Sequence, residues 1–135
     1  MKEISDLVRG WIEKADSDLE TMRLLVANHG PYDAACFHGQ QAIEKLLKAM
    51  LAFTGQPIPR THNLEDLQKL VLDWQEITAL ADLELFETTG YAVLARYDLE
   101  FWPKQETAIE VLQLAEKVRT IALAILPAQC HPTDL

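Results

Sequence analysis

Cysteine is scarce in this sequence: Cys36 and Cys130 are the two present. No Cys-x-x-Cys pair and no Cys/His spacing accompanies them, which argues against a zinc site. Cys36 falls in a helical pattern and reads as a small buried apolar residue, Cys130 as a free thiol in a C-terminal tail. Long apolar runs are lacking too, so nothing here spans a bilayer as a helix. Met1-Lys-Glu-Ile-Ser-Asp6 lacks the basic-then-apolar order of a secretory leader, and a cytoplasmic location is the expectation. Positive charge is in the minority: 12 Lys and Arg face 21 Asp and Glu, a net charge of −9. Proteins that grip phosphates without sequence preference carry the opposite balance, so RNA is not an expected partner. A small local basic pocket stays open. Strand signals are nearly absent, with no Asn-Gly or Asp-Gly between alternating segments. No motif calls for a cofactor or a metal.

What is present is helical periodicity. The chain has 135 residues, 49% of them apolar, enough for one core. Trp11, Ala15, Leu19, Met22 and Val26 share a face of a first helix beginning near Ser5. Gly30 suits its C-cap, and Pro31 cannot continue it. A second helix runs from about Asp33, a plausible cap, to Thr54, closed by Gly55. Two prolines make Gln56-Pro-Ile-Pro-Arg-Thr-His62 a rigid loop. Asn63 caps a third helix whose apolar face is Leu64, Leu67, Leu70, Val71 and Trp74. A fourth runs from Glu76 to Tyr97 in two pieces with a joint at Thr88-Thr-Gly90. A fifth spans Gln105 to Leu126, stopped by Pro127. The expected architecture is an all-α, antiparallel up-down bundle of four to five helices. It forms one domain over residues 1–126, followed by a frayed tail over 127–135.

At ~100° per residue, the second helix has two arcs. Ala35, Cys36, Ala42, Ile43, Leu46, Leu47, Ala49, Met50 and Phe53 fill the core arc. His38, Gln40, Gln41, Glu44, Lys45 and Lys48 fill the other, which reads either as a solvated face or as an interface. Phe37 and Leu51 fall inside the polar arc, and large apolar residues among polar ones are what a partner surface shows. Phe37, His38, Gln41, Glu44, Lys45, Lys48 and Leu51 are therefore the expected dimer or partner face.

Gln41-Ala-Ile-Glu-Lys-Leu-Leu-Lys-Ala49 resembles the second-helix signature of the HEPN domain, Gln-Ala-x-Glu-Lys-x-x-Lys-Ala. Trp11-x-x-x-Ala15 with Asp18-Leu19 resembles its first helix, and Tyr32-Asp-Ala-Ala-Cys-Phe37 the start of its second. Arg60-Thr-His62 with Leu64 and Leu67 resembles its threonine–histidine loop. Ala95-Arg-Tyr97 resembles its arginine–tyrosine motif. The five pieces fall in the family's order over about residues 5 to 126. The resemblance implies a prokaryotic helical bundle that dimerises, with the polar arc of helix two at the dimer cleft or its rim. It also implies a minimal nucleotidyltransferase as partner in a toxin–antitoxin-like pair. Some members of the family are metal-independent RNases that use an arginine followed, four to six residues on, by histidine. Here Phe101, Trp102 and Pro103 occupy those places after Arg96. The chain alone is expected not to cleave RNA, the alternative being an RNase toxin in which Arg96 works with a substitute histidine such as His38 or His62. Paired toxins of the family often carry an AMP-accepting tyrosine where this chain has Pro103, which leaves Tyr97 and Tyr91 as the nearest hydroxyls.

If helices two and four run the same way, Lys48, Arg60, His62, Arg96 and Lys104 gather at one end of the bundle beside the free N–H groups of helix three. Lys48, Arg60, His62 and Arg96 are then the candidate anion site, and a nucleotide phosphate the ligand. The plainer reading is cations stabilising helix C-termini, with Asp66, Asp98 and Glu100 close by to neutralise them.

Overall fold

The computed structural model describes residues 3–133. Met1 and Lys2 at the start, and Asp134 and Leu135 at the end of the expected tail, lie outside them. Among the described residues every regular element is a helix: α1 (Ile4–Ala27), α2 (Tyr32–Phe53), α3 (Leu64–Trp74), α4 (Thr78–Ala81), α5 (Phe86–Thr89), α6 (Tyr91–Tyr97) and α7 (Gln105–Ile125), then one 3-10 turn over Ala128–Cys130. The chain is an all-α helical bundle.

Local chemistry explains most boundaries. After Asn28, His29 and Gly30 both take positive φ, 62° and 104°. The amide of Gly30 reaches back to the Leu25 carbonyl and that of His29 to Val26, a Schellman closure with His29 in the left-handed place expected of Gly30. Helix α2 starts one residue before Asp33, on Pro31, without a side-chain cap. Asn63 does cap α3, its Oδ1 accepting from the Asp66 amide at 3.0 Å. The fourth expected helix is three short pieces rather than two. Gln68 of α3 donates to the carbonyls of Leu80 and Leu83, at 2.8 and 3.0 Å, which fixes the chain there in a bend instead of a continuous ladder.

Helix α2 is the axis, touching α1, α3, α5, α6 and α7. Its partners show the directions. Asp18 of α1 meets both His38 and Lys45, and Trp11 lies under Lys48, so α1 and α2 are antiparallel. Arg119 pairs with Asp16 and Arg23 with Glu116, so α1 and α7 are antiparallel as well. Helix α3 runs with α2: His62, just before it, meets Glu44, and Trp74 at its end meets the Phe53 ring at 5.9 Å. The extended 54–63 loop therefore carries the chain back along α2, and the broken α4–α6 stretch makes the second return. That is why Arg96, at the end of α6, lies over Phe37 near the beginning of α2. Helices two and four therefore do not run the same way, and the condition for gathering the cations at one end is not met.

The core packs Val8, Ile12, Ala15 and Leu19 of α1 on Ile43, Leu46, Leu47 and Met50 of α2, with Leu64, Leu67 and Val71 of α3 and Ala115, Val118 and Ala122 of α7. The buried stripe of α1 is turned slightly from the expected one, leaving Trp11 and Val26 half-buried at its flanks. On α3, Leu70 and Trp74 stay partly exposed. At Gly39 the helices approach so closely that a β-carbon would collide with Val111 of α7 and crowd Met22 of α1.

The C-terminal segment is not frayed over its described part. Arg9 donates to the carbonyls of Gln129 and His131, and the His131 Nε2 contacts the Leu126 carbonyl at 2.9 Å. Cys130 is a free thiol as expected, but it is buried against α1 rather than carried on a frayed tail. Burial pushes its thiol pKa up, with Arg9 pulling the other way. Burial, with Asp33 adding to it, raises that of Cys36 to about 11. Both thiols should resist alkylation at mildly alkaline pH until the chain unfolds. Arg9→Ala should release Cys130 alone, which mass spectrometry of the labelled protein reads directly.

Candidate functional site

The polar arc of α2 is not a surface. Gln40, Glu44 and Lys48 recur every four residues and form one stripe, and all three are buried. The Lys48 ammonium donates to Glu44 Oε2 at 3.1 Å and sits 5.8 Å from the Trp11 ring centre. Gln40 Nε2 donates to Glu44 Oε1 and to the His62 carbonyl, both at 3.3 Å. The His62 ring meets Glu44 through Nδ1, 3.1 Å from each oxygen, while its own side chain stays 76% exposed. Gln41 extends the chain with a 2.7 Å bond to the Gln40 Oε1. The Arg60-Thr-His62 loop thus closes over the stripe and joins the centre of α2 to the start of α3.

A second cluster lies one turn round. Asp18 is a carboxylate on the apolar face of α1 and is 8% exposed. It accepts from Lys45 at 2.6 Å, and its other oxygen lies 2.8 Å from His38 Nδ1. A carboxylate only accepts, so the His38 proton belongs on Nδ1 and Nε2 is left free. The His38 ring packs edge-on against Phe37, centres 5.3 Å apart. The Arg96 guanidinium lies over the other partner faces: 5.6 Å from the Phe37 ring and 5.3 Å from that of Tyr97. Arg96 Nε also donates to the Ala92 carbonyl at 2.8 Å. Phe101 stacks on Tyr91 at 5.5 Å and carries nothing that titrates. Burial, then Cys36, Glu87 and Glu110, raise the pKa of the Tyr91 hydroxyl, whereas Tyr97 is 71% exposed.

The proposed anion cluster is accordingly split. Lys48 and His62 are engaged by Glu44, and Arg96 sits at the level of Phe37, ~16 Å further along α2 by helical rise. Arg60 is exposed in the loop, and Lys104 precedes α7, far along the chain from the Glu44 stripe. Two of the helix-three amides are already taken, that of Asp66 by Asn63 and that of Leu64 by Thr89 Oγ1 at 2.8 Å. Of the expected partner face, Glu44, Lys48 and Leu51 are buried within the chain, His38 and Lys45 pair with Asp18, and Phe37 and Gln41 are half-buried. Asp18 and Thr89 organise these contacts, a role expected of neither from the sequence, Asp18 being named there only within a first-helix match and Thr89 only within a joint. Asp18 had a readable signal, a carboxylate three residues past Ala15 and four before Met22 on the apolar stripe. Thr89 had none, because its partner is 25 residues away.

Removing the Glu44 carboxylate leaves a buried ammonium without its counter-charge. Glu44→Ala should cost ~3 kcal/mol or more in urea unfolding, and Glu44→Leu combined with Lys48→Met should recover most of it. His62→Ala, which removes an exposed partner, should cost less than ~1 kcal/mol.

Three kinds of comparison bear on descent. No curated protein matches the chain. Its fold is similar to the crystal structure of an archaeal HEPN homologue, with a TM-score of 0.59 and 24% identity, covering 92% of this chain and 98% of that one. A family model described as the HEPN domain matches residues 8–125. That span takes in the Glu44 stripe, the Asp18 cluster and Arg96 alike, and the chain belongs to the HEPN family.

Proposed function

We propose that this chain is a helical binding module, a homodimer that holds a minimal nucleotidyltransferase in a toxin–antitoxin-like pair. One observation carries the reading. Phe86 (69% exposed), Val93 (57%), Tyr97 (71%), Leu99 (88%) and Trp102 (73%) all fall between residues 86 and 102. Water gives no reason to keep five large apolar side chains on one stretch, and a partner surface does. The Trp102 ring is held in place, its indole N–H donating to the Leu99 carbonyl at 3.1 Å, as befits an anchor residue. The partner face accordingly moves from α2, where Leu51 is covered, to α6 and the loop after it. Family membership supports the nucleotidyltransferase as partner. Within this reading Arg96, at the rim of the exposed stretch, and Arg60 are the cations open to a nucleotide phosphate. Tyr97 is the accessible hydroxyl for any nucleotide that a partner transfers.

Light scattering at tens of micromolar should give a dimer mass, and Leu99→Asp should halve it. A monomer mass for the wild type overturns the dimer. Copurification with a nucleotidyltransferase from the neighbouring reading frame, lost in Trp102→Ala, tests the partner. Intact mass after incubation with that partner and ATP reads any transfer to Tyr97.

A metal-independent RNase is the second reading, and one arrangement favours it: His38, oriented by Asp18 with Nε2 free, stands beside the Phe37 ring on which Arg96 lies. The acidic balance opposes it. Wild-type protein should leave single-stranded and transfer RNA intact. Cleavage that is lost in both Arg96→Ala and His38→Ala would put the enzyme reading first.

A further inference from the structure

Between the α5–α6 segment and α7 lies a concavity of about 390 Å³. Glu84, Glu87 and Glu110 stand around it, and no lysine, arginine or histidine lines it. None of the three carboxylates has an ion-pair partner among the described residues, although several other acids of the chain do. Its wall is apolar where Val111 and Leu114 of α7 face it, and Phe86, 69% exposed, contributes an aromatic ring.

Carboxylates alone would be an ordinary solvated group. Thr88 makes this place different. It lines the same concavity and is only 4% exposed, yet its hydroxyl takes part in no hydrogen bond, unlike that of Thr89 beside it. No sealed side-chain polar atom among the described residues lacks a partner. The little surface that Thr88 keeps therefore includes its hydroxyl, opening into the concavity. A hydroxyl that opens only into the concavity finds its partner there, in water or in a ligand that displaces it. The Tyr91 ring lies in the same wall, and its raised hydroxyl pKa, due first to burial and then in part to Glu87 and Glu110, registers the negative field there.

The chemistry of the occupant follows from these groups. The carboxylates only accept hydrogen bonds, and the hydroxyls can accept as well, so the ligand is a donor and a cation. No cluster of three metal-ligating side chains exists among the described residues, so the carboxylates are too dispersed for a bare metal ion. An apolar wall with acceptors around it fits a long alkyl stem carrying a charged head. A ring at the rim favours a cation further.

We propose that this concavity receives a lysine or arginine side chain from a basic segment of a partner protein. A protein is the better source than a free polyamine because the site is continuous with the exposed apolar stretch. Tyr91 stacks on Phe101, and Leu99 and Trp102, its near neighbours in sequence, are 88% and 73% exposed. A polyamine would leave those side chains in water, while a partner chain covers both. The proposal rests on the binding-module reading and gives that module a charge preference: an acidic receptor for a basic partner surface.

Fluorescence anisotropy with a labelled lysine–leucine helical peptide, its glutamate–leucine counterpart and spermidine as competitor tests it on the full chain. The lysine peptide should bind, more weakly as salt is raised, and the glutamate peptide should not. Glu87→Gln with Glu110→Gln should weaken binding about tenfold or more. Thr88→Val, which keeps the shape and removes the unpartnered hydroxyl, should weaken binding without lowering the melting temperature. The glutamine variant lies at the surface and keeps the test open even where Thr88→Val misfolds. Absence of lysine-peptide binding, or binding unchanged in the glutamine variant, overturns the proposal, as does spermidine binding as tightly as the peptide. A Leu99-dependent dimer that ignores the peptide would refute the concavity and leave the module reading intact. A monomer that binds the peptide there would do the reverse.

Discussion

The Glu44 carboxylate is the group on which the arrangement of the chain turns. It is 5% exposed and lies on the helix that touches α1, α3, α5, α6 and α7. A charge in that position is tolerable only when donors surround it. Lys48 and Gln40 supply two from α2 itself, and His62 supplies a third from the loop that follows. The third donor has topological consequences, because to bring His62 to Glu44 the 54–63 segment must travel back along α2. Helix α3 then starts near the middle of α2, and the return from its end falls to α4–α6.

That route separates what sequence order suggested would meet. Arg96 ends on Phe37, about three turns before Lys48 is reached, so cations that a simple alternating bundle would gather are divided between two neighbourhoods. Each neighbourhood is neutralised in its own way. Around Lys48 and Lys45 the counter-charges are Glu44 and Asp18. Arg96 has aromatic faces and one carbonyl instead. Arg96 therefore has no carboxylate partner beside it, whereas Lys48 is paired with Glu44.

Helix class, number of long helices, the Asn63 cap, the Gly55 closure and most of the core stripe were legible because each depends on residues within one or two turns of each other. The HEPN signature was legible for the same reason, as a run of nine consecutive residues. The burial of the polar arc was not. On a wheel, Glu44 and Lys48 look like a surface pair four apart, and only the approach of α1 and of the 56–63 loop turns them into interior groups. The same limit applies to the tail, where Arg9 reaches Gln129 and His131 more than a hundred residues away. The exposed stretch over 86–102 was poorly visible: Phe86 and Val93 fell inside the expected fourth helix and counted as ordinary helix residues until the helix proved to be broken, and Leu99 and Trp102 fell in the loop after it.

The break itself explains why the uncovered apolar surface is found there. Helices of four or seven residues cannot be held by their own hydrogen bonds, since nucleation costs more than so few bonds return. Here the segment is fixed from its inner side by Leu80, Leu85 and Ala92 in the core and by side-chain bonds from Gln68 and Thr89. Short elements held on one side leave their outward side chains without neighbours from the next turn. Phe86, Val93 and Tyr97 are exposed for that reason, whereas the long α2 and α7 keep their large apolar residues at least half-buried, and α1 exposes Ile4, Leu7 and Leu24. A surface built this way is the place where a second chain gains most apolar burial and where covering it tightens the least self-sufficient part of the fold.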